Sequence, residues 1–508
     1  MRDLLRRLID KHPLAVLLAV GLLLRVIAAF FARGYMATDD HFQVIELAAQ
    51  WLRGHHDYLP GDTQFYRSLL YPGVNWVLMA LLHAMGVYNP DLVMLIDRLC
   101  HAVFSLWTIG LTYKLALLLS NRRAAWTSGL IVAMHAVMPY VAVRNLIEVV
   151  SMPFLLWGIY EITRAESEAD WDRGTVVRWI GAGLALGLAF VIRWQVASGV
   201  AGIGLYLLFR HRWRAIGFVA GGVLIPVVLQ GCWDWAWHDV FLGSLRAYLA
   251  QNVAHLYDTI VGPWHRYLLL IVGIFIPPFS LIFMAAMIRW VRRLGVLPWA
   301  AFAFLIAHSI IPSKQERFLL PIFPLLALMG TVGLEYWREF KGPVWHHWLR
   351  RGWIWFWIVN TPLLILALFN YSQKAKVEPL IKLYERGDAS SVVLDLTESG
   401  GGMGMPEYYL DGADPSRPRP VIYEALKAED LDSLRQKFAS QAAPVPNYVL
   451  IYAKGGIEAH LVMLRERLGT VEPLEYIGPS VAERLLIFFN PRYHQAREVE
   501  LCRLALHP

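Results

Sequence analysis

Residues 13–31 read PLAVLLAVGLLLRVIAAFF, a run interrupted by one charge, that of Arg25. A helix needs about 20 consecutive apolar residues to cross a bilayer, and this run has that length. A basic segment at residues 2–11 precedes it. The run is longer than the apolar part of a typical signal peptide and has no clear small-residue cleavage site. It predicts a retained membrane helix with a cytoplasmic N-terminus.

The composition of the whole chain agrees with this prediction. Of its 508 residues, 57% are hydrophobic and 17% are charged, whereas a soluble domain has about 25% charged residues. These values exclude an ordinary soluble protein, and they exclude a disordered chain because disorder goes with low hydrophobicity. Three cysteines are too few for a disulfide-rich scaffold. The remaining class is a membrane protein with several spans.

The formal net charge of +7 does not indicate nucleic-acid binding, because the arginines gather at the ends of apolar runs. Such clusters occur at residues 6–7, 122–123, 210–214, 289–293 and 350–351. Cytoplasmic loops of membrane proteins are enriched in Lys and Arg. The basic clusters are therefore interpreted as markers of membrane topology.

The apolar runs after the first one set the number of spans. They lie near residues 70–85, 92–119, 124–139, 149–163, 178–192, 196–209, 215–233, 266–288, 296–311, 317–334 and 352–370. If residues 70–85 crossed the membrane, the later basic clusters would lie outside; if they are juxtamembrane or re-entrant, those clusters lie inside. The second option predicts about 11 transmembrane helices in an all-α domain over residues 1–373, with the C-terminus outside.

Two segments outside the spans have recognisable patterns. Residues 40–53 carry apolar side chains at a helical spacing, with polar ones between them, which predicts an amphipathic juxtamembrane helix in the first outer loop. Residues 374–508 predict a small extracytoplasmic α/β domain. In that domain residues 392–396, 421–423, 448–452 and 485–489 are predicted strands, residues 424–438 and 458–468 are predicted helices, and the glycine-rich residues 398–405 are a loop without a nucleotide-binding fingerprint.

Two adjacent carboxylates, Asp39 and Asp40, follow the first span. Close carboxylates push each other's pKa values apart, which leaves one of them suited to act as a general base. Residues 38–40 also stand where a helix is expected to begin, and Asp is a favoured N-cap residue. Both interpretations stay open here, and capping does not exclude catalysis.

Arg144 and Glu148 lie on the same predicted membrane face as the two aspartates. Their spacing is that of an i,i+4 ion pair on a helix, which contributes a few tenths of a kcal/mol. The alternative places Arg144 on a phosphate and Glu148 near an acceptor hydroxyl. Neither interpretation is preferred by the spacing.

A short turn and one span end supply further charges on that face. The turn SKQERF at residues 313–318 contains Lys314, Glu316 and Arg317 among prolines. These cations either snorkel towards the interface or line a polar cavity. Arg193 ends the fifth predicted span and is a candidate phosphate contact. The 17 histidines show no HExxH and no Cys/His ligand spacing, so no cofactor is predicted and no metal site can be read from the sequence, which leaves the use of a divalent metal open.

Three motifs resemble those of glycosyltransferase family 22. The segment ATDDHFQVIE at residues 37–46 resembles its first-loop motif, His-Pro-Asp-Glu-x-Phe-Gln-x-x-Glu. The segment RSLLYP at residues 67–72 resembles its Arg-Ser-x-x-Tyr-Pro, and HSIIPSKQERFLLPIFP at residues 308–324 resembles its His-Lys-x-Glu-Arg-Phe-x-x-Pro-x-x-Pro. The motifs occur in the family's order and the resemblance covers about residues 1–370, although Thr-Trp-Glu is not found.

The resemblance implies a GT-C fold and an inverting transfer of a sugar, usually mannose, from a polyprenyl-phosphate donor. It implies that the acidic residue at Asp39, beside Asp40, is the general base. A lipid phosphate leaves without a general acid, so the enzyme also needs cations for the departing phosphate. The residues assigned to that phosphate are Lys314, Arg317, Arg193 and Arg67, and those assigned to the acceptor or a second acidic site are Glu148, Arg144, Glu316 and Glu46.

The sequence thus predicts a mannosyltransferase of a bacterial inner membrane, with a polyprenyl-phosphate sugar donor and a lipid or glycan acceptor. The nearest alternative is another GT-C enzyme, of the aminoarabinose or protein-glycosylating type. A lipid-linked sugar flippase is a further alternative, but it predicts two related halves with broken helices at the midplane. A non-catalytic membrane scaffold is the last alternative, and it predicts that Asp39→Asn leaves function intact.

Overall fold

The computed structural model describes residues 7–8, 10–55, 67–168, 170–254, 260–398, 402–440, 443–453, 456–489 and 498–506. The chain forms two compact units. The first unit consists of Met1–Ala29, Gly61–Gly73 and Leu99–Leu368, and the second unit consists of Phe30–Pro60, Val74–Arg98 and Phe369–Pro508. The second unit is therefore discontinuous in sequence, and the single boundary between residues 373 and 374 stays a prediction.

Helices make up almost all of the described chain before residue 390. The α-helices are Pro13–Phe31, Thr38–Asp40, Leu47–Leu52, Leu70–Ala84, Pro90–Phe104, Leu106–Leu119, Arg122–Met134, Val137–Val141, Ile147–Ser167, Arg173–Ile192, Ala197–Phe209, Trp213–His238, Gly243–Ala254, Arg266–Ile274, Phe279–Arg289, Leu297–Ile310, Phe323–Phe340, Pro343–Leu368 and Lys374–Arg386. A π-helix spans His41–Glu46, and 3-10 helices span Trp194–Val196, Val291–Arg293 and Glu316–Ile322.

Several of these helices are long and apolar enough to cross a membrane. Six qualify within the described ranges: Pro13–Phe31, Pro90–Leu119, Arg173–Ile192, Trp213–Trp237, Glu316–Phe340 and Pro343–Leu368. The helices Arg266–Ile274 and Phe279–Arg289, which meet at a bend of 113°, make a seventh if they count as one span. Shorter apolar helices are Leu70–Ala84, Trp194–Phe209 and Leu297–Ile310. A multi-span helical membrane domain is confirmed, whereas the number of 11 stays a prediction.

Glycines allow the helices of the first unit to approach closely. A Cβ on Gly183 would lie 2.1 Å from the carbonyl oxygen of Val219, and one on Gly222 would lie 2.3 Å from that of Ile180. The helices Arg173–Ile192 and Trp213–His238 thus touch backbone to backbone. Small residues serve this purpose in membranes, where lipid tails are as apolar as leucine and close packing must hold helices together.

Arg25 is fully buried within the first span, and its guanidinium is used to join helices. Its Nε donates to Ser105 Oγ at 2.8 Å, and Nη1 and Nη2 donate to the carbonyls of Ala133 and Val132 at 3.3 and 3.2 Å. Those carbonyls belong to the last turn of the helix Arg122–Met134, which has no partners for them within the helix. The intramembrane charge is therefore structural.

Replacing Arg25 with Leu is expected to destabilise the protein by about 3 kcal/mol, because the Ser105 hydroxyl and two helix-end carbonyls lose their buried donor. Thermal unfolding of the purified protein in detergent measures the loss. The matched control is Leu23→Ala on the same helix, where the side chain is 60% exposed and should change the melting temperature little. Equal effects of the two substitutions would contradict the structural role of Arg25.

The C-terminal part of the second unit contains a five-stranded sheet in the order β2-β1-β3-β5-β4. The strands are β1 Ser391–Asp395, β2 Val421–Ala425, β3 Tyr448–Ala453, β4 Gly469–Ile477 and β5 Glu498–Leu506, and the helices are Tyr408–Asp411, Ala428–Ala439, Ile457–Arg467 and Val481–Phe489. Strand β1 pairs in parallel with β2 and β3, and β5 pairs antiparallel with β3 and β4. Both β1 and β3 are buried along their whole length, as expected for the centre of a parallel sheet. The predicted α/β region is confirmed.

One predicted strand is wrong, and two strands are missing from the prediction. Residues 485–489 belong to the helix Val481–Phe489, which begins with a capping box: Glu483 N–H donates to Ser480 Oγ at 3.3 Å, and Ser480 N–H donates to Glu483 Oε2 at 2.8 Å. This S-x-x-E signal fixes a helix start and outweighs the β-propensity of LLIFF. Strand β4 was missed because it is an edge strand that contains Pro473 at a bulge.

His460 lies between two carboxylates at the carboxyl end of β1. Its Nδ1 is 2.6 Å from Asp395 Oδ2, and its Nε2 is 3.4 Å from Glu398 Oε1. The hydrogen bond with Asp395, against the opposing effect of burial, raises the pKa of His460 above its usual value. The folded state therefore favours the imidazolium.

Because the folded pKa is raised, this pair stabilises the fold fully below about pH 6.5, the ordinary histidine pKa, and the contribution is lost as pH rises through the folded pKa. The melting temperature of the second unit should therefore fall by roughly 2–4 °C over that rise. Thermal unfolding of the full-length protein from pH 6 to pH 9 measures the fall. In His460→Gln this component should disappear, and an unchanged pH profile in the variant would contradict the assignment.

Candidate functional site

Glu148 forms the centre of a buried charged cluster in the first unit. It occupies the first turn of the helix Ile147–Ser167, and its side chain is 0% exposed. A helix N-terminus stabilises a carboxylate through its unpaired N–H groups and dipole. That alone does not offset full burial of a charge, so positive partners are required.

Two arginines supply those partners. Arg193 Nη2 lies 3.0 Å from Glu148 Oε1, and Arg317 Nε lies 3.6 Å from the same oxygen. Arg193 has an extended backbone where the helix Arg173–Ile192 ends, so its side chain leaves the helix direction. Arg317 belongs to the 3-10 helix Glu316–Ile322. The sequence prediction named all three residues but not their pairing.

Phe318 lies beside both guanidinium groups. Its ring centroid is 5.1 Å from Arg193 Cζ and 5.7 Å from Arg317 Cζ. Such cation–π contacts hold guanidinium groups in place without using their N–H donors. We call Glu148, Arg193, Arg317 and Phe318 the Glu148 cluster.

The Glu148 cluster has donors to spare and a positive charge. Within the part of the chain that the structure describes, Arg193 Nε, Arg193 Nη2 and both Glu148 oxygens are buried and form no hydrogen bond of good geometry, although Nη2 and Oε1 are 3.0 Å apart. Two guanidinium groups face one carboxylate, and Arg67 lies within electrostatic range of Arg193. Buried polar groups are nearly always hydrogen-bonded. An arrangement of this kind suits an added anion such as a phosphate.

The segment RSLLYP fixes the position of Arg67. Ser68 Oγ donates to Gln230 Oε1 at 2.7 Å, and Tyr71 Oη donates to Asn145 Oδ1 at 2.7 Å. Gln230 in turn donates to the buried Asp234 at 2.6 Å. The serine and tyrosine of the motif therefore anchor the chain, and Arg67 itself stays half-buried.

Lys314 is placed differently from its predicted role as a phosphate contact. Its Nζ donates to the carbonyls of His308 at 2.8 Å and Ser309 at 2.9 Å, and to that of Ile311. An ammonium has three N–H donors, and all three are taken by carbonyls at the C-terminal end of the helix Leu297–Ile310. Lys314 therefore caps a helix in this structure, as a cation at that end should.

The structure also shows contacts of Arg144 and Glu316 that the sequence did not predict. The helix begins at Ile147, and Arg144 lies in the bend before it, so the helical i,i+4 pair with Glu148 is wrong. Arg144 Cζ lies 4.4 Å from the ring centroid of Tyr140. The side chain of Glu316 is 56% exposed and pairs with Arg266.

The first-loop carboxylates belong to the second unit. A helix begins at Thr38, and its N-cap residue is Ala37, so residues 38–40 lie inside the helix and not at the N-cap position. Asp40 is buried. Asp39 is the second residue of that helix, and its side chain lies outside the described part of the structure. The role of Asp39 as base therefore stays a prediction.

The helical segment from Thr38 to Leu52 is buried on both its apolar and polar sides, which differs from the predicted surface helix. Glu46 Oε1 accepts from the backbone N–H of Tyr408 at 2.9 Å, and Arg53 Nη2 donates to both oxygens of Asp411 at 2.5 and 2.6 Å. The polar side thus faces protein. Glu46, which was assigned to an acceptor or second acidic site, has a structural contact here.

His41 strengthens the same packing. Its ring stacks on Tyr35 with centroids 4.6 Å apart and on Tyr409 with centroids 5.6 Å apart. Aromatic contacts of this kind add to the area that each ring buries. The segment after Thr38 is thereby held to residues 408–411 by stacking as well as by ion pairs.

Two residues near the Glu148 cluster were missed. Tyr248 lies within electrostatic range of Arg193 and Glu148, but nothing in its sequence context distinguishes it. His308 is 4% exposed, and its Nε2 has no hydrogen-bond partner among the described residues. His308 is the first residue of the motif at residues 308–324, and this motif could have identified it from the sequence. No group of three or more metal-ligating side chains occurs in the described ranges.

Comparisons with known proteins agree with the motifs. A family model, described as the Alg9-like mannosyltransferase family, matches residues 16–389. A similar curated protein, GPI mannosyltransferase 3 of Candida albicans, is 22% identical over 327 residues, which are 62% of this chain and 63% of that protein. The chain thus aligns with less than two thirds of that relative's length. An undecaprenyl phosphate-alpha-4-amino-4-deoxy-L-arabinose arabinosyl transferase of Pseudomonas fluorescens is 27% identical over 188 residues, 31% of each chain.

A solved structure has the same fold over nearly the whole chain. It is ArnT from Cupriavidus metallidurans bound to undecaprenyl phosphate, with a TM-score of 0.60 and 14% identity. The likeness covers 96% of this chain and 97% of that one. The predicted GT-C architecture, a multi-span helical part followed by a small α/β part, is confirmed.

Proposed function

Because the chain belongs to the Alg9-like mannosyltransferase family, we propose that it is a membrane glycosyltransferase that transfers mannose from a polyprenyl-phosphate donor. The acceptor is a lipid-linked sugar or glycan on the extracytoplasmic face of a bacterial inner membrane. The observation that carries the proposal is the Glu148 cluster, with its buried guanidinium donors and its positive charge. The undecaprenyl phosphate bound to the similar ArnT fold supports the donor class.

The chemistry of the donor explains why buried arginines are needed. When the bond between the anomeric carbon and the phosphate oxygen breaks, that oxygen keeps the electron pair, and a phosphodiester monoanion becomes a phosphate dianion. Catalysis requires groups that bind the transition state more tightly than the bound donor. Arg193, Arg317 and Arg67 meet that requirement because the added negative charge develops on the phosphate.

The acceptor hydroxyl supplies the other half of the reaction. Its oxygen forms the new bond to the anomeric carbon from the side opposite the phosphate, which inverts the configuration. Its proton passes to Asp39, the general base, with Asp40 beside it. No general acid is needed, since the phosphate leaves as an anion.

A second candidate is transfer of an aminoarabinose-type sugar. The likeness to ArnT over nearly all of both chains favours it, as does the partial match to the Pseudomonas fluorescens transferase. The Glu148 cluster serves either reaction, because both donors leave a polyprenyl phosphate. The two candidates differ only in sugar and acceptor.

Donor selection by the purified full-length protein in detergent separates these candidates. Polyprenyl-phosphate mannose and polyprenyl-phosphate aminoarabinose, each radiolabelled, are offered with a bacterial lipid extract as acceptor. Label from the mannosyl donor in an extractable lipid or glycan is the expected result. Label from the other donor alone transfers the assignment to the second candidate, and no transfer from any lipid-phosphate sugar by folded protein overturns both.

A further inference from the structure

A cleft of about 420 Å³ opens in the first unit where three helices end. It is bordered by the first turns of Arg122–Met134, the last turns of Phe323–Phe340 and the first turns of Pro343–Leu368. We propose that this cleft is a regulatory or stabilising site for the phosphate-bearing headgroup of an anionic phospholipid. It is independent of the sugar-transfer reaction proposed above.

The charge of the cleft is strongly positive. Its lining residues include Arg123, Arg338 and Arg350, which carry three positive charges, and Glu335, which carries one negative charge. Its volume is within the range of about 300–1,000 Å³ typical of ligand pockets. A cavity with this charge selects an anion.

The carboxylate is already neutralised, which leaves two arginines for a ligand. Glu335 Oε1 lies 3.5 Å from Arg123 Nη1 and accepts from Asn121 Nδ2 at 3.2 Å. Among the residues that the structure describes, Arg338 and Arg350 form no ion pair. Guanidinium groups bind phosphate oxygens with paired N–H donors, so these two arginines are suited to hold a phosphate.

Part of the cleft lining is apolar. Leu334, Leu349 and Trp353 line it, and Leu349 is buried. Inorganic phosphate makes no favourable contact with apolar side chains, whereas the glycerol and upper acyl carbons of a phospholipid pack against them. The mixed lining therefore favours a lipid over a soluble anion.

The position of the cleft at the ends of two spans is the position expected for a site that binds a lipid headgroup. Glu316–Phe340 and Pro343–Leu368 are both long and apolar enough to span, and the cleft lies where the first ends and the second begins. The N-termini of Arg122–Met134 and Pro343–Leu368 add the positive ends of two helix dipoles. Basic pockets between spans on the cytoplasmic side are known binding places for anionic headgroups, and positive-inside bias puts these arginines on that side.

The test measures lipid binding to the full-length protein by native mass spectrometry and by thermal unfolding. Cardiolipin and phosphatidylglycerol are the anionic probes, and phosphatidylcholine is the zwitterionic one. The variant Arg338→Gln/Arg350→Gln should bind the anionic probes about 30-fold more weakly, since each basic side chain near a lipid surface contributes substantially. Glu335→Gln should bind them more tightly, because the opposing carboxylate is gone.

The matched control is Arg351→Gln, which removes a charge from the neighbouring residue of the same helix. Arg351 lies over the ring of Trp348 and does not line the cleft. All variants should unfold at the wild-type temperature in phosphatidylcholine, so a lost lipid effect does not reflect misfolding. Equal binding of anionic lipid by wild type and the double variant overturns the proposal. Displacement of the lipid by millimolar inorganic phosphate, with equal stabilisation, shows a soluble-anion site and overturns the lipid assignment.

Discussion

Arg193→Gln is expected to lower the rate of sugar transfer by about 10²–10³-fold, the loss typical of removing one donor from a site that stabilises developing charge. Arg193 is 4% exposed, its Nη2 lies 3.0 Å from Glu148 Oε1, and its buried Nε forms no hydrogen bond among the described residues. In the proposed reaction this guanidinium faces the departing phosphate. The loss should therefore appear mainly in kcat, with a smaller change in KM, since the added charge exists only as the bond breaks.

Because Arg193 is buried, a loss of stability must be excluded as the cause of the lower transfer rate. Removing Arg193 leaves Glu148 with one cation fewer in a dry site, which is destabilising in itself. The double variant Arg193→Gln/Glu148→Gln removes both charges and should recover the melting temperature without recovering transfer. Arg266→Gln, at a half-exposed position, is the control for loss of a surface cation. Recovery of transfer in the double variant would mean that Arg193 only balances Glu148.

Asp39→Asn is expected to reduce transfer by about 10²–10⁴-fold, the range for loss of a general base. The substitution keeps the size of the side chain and removes its ability to accept a proton. Binding of the polyprenyl-phosphate donor should be unchanged, because the donor phosphate is held by arginines in the proposed reaction. Initial rates with saturating donor and acceptor measure the effect, and the acid limb of the pH–rate profile should vanish in the variant.

Two comparisons make this result interpretable. Glu429→Gln removes a carboxylate from an exposed position on the helix Ala428–Ala439 and should transfer sugar at the wild-type rate. Asp40→Asn tests which of the two adjacent carboxylates takes the proton. Full activity in Asp39→Asn with a large loss in Asp40→Asn would assign the base to the second residue, and full activity in both would falsify the assignment of a base to this loop.

The sequence alone predicted the helical membrane part because long apolar runs are a strong signal. In lipid, a helix satisfies all the backbone hydrogen bonds of such a run internally. It named the three charged members of the Glu148 cluster because charges near apolar runs are conspicuous, but it did not name Phe318. It could not predict their pairing, since Glu148, Arg193 and Arg317 come from three distant segments. Pairing by spacing failed at Arg144 because the backbone bends before Ile147.

Lys314 shows a different limit of sequence reasoning. A lysine beside prolines near a span end reads equally well as a phosphate ligand or as a helix cap. Which one it becomes depends on whether its ammonium turns back towards the preceding carbonyls, as it does on His308 and Ser309. Residues 485–489 were predicted to be a strand but form a helix. The sequence contains the signal for that helix, because Ser480 and Glu483 form a capping box.

The second unit is built from three separated stretches of chain, and this restricts how hybrid proteins can be made. A hybrid that exchanges only the residues after Leu368 would place Glu46 and Arg53 against a foreign segment in place of the Tyr408 backbone N–H and the Asp411 carboxylate, which they contact here. In that hybrid, residues 1–368 would keep the buried carboxylate of Glu46 and the guanidinium of Arg53 without the partners that they have here. The smallest transferable module therefore includes residues 30–60 and 74–98 together with residues 369–508, and a single crossover at any point after residue 30 divides it.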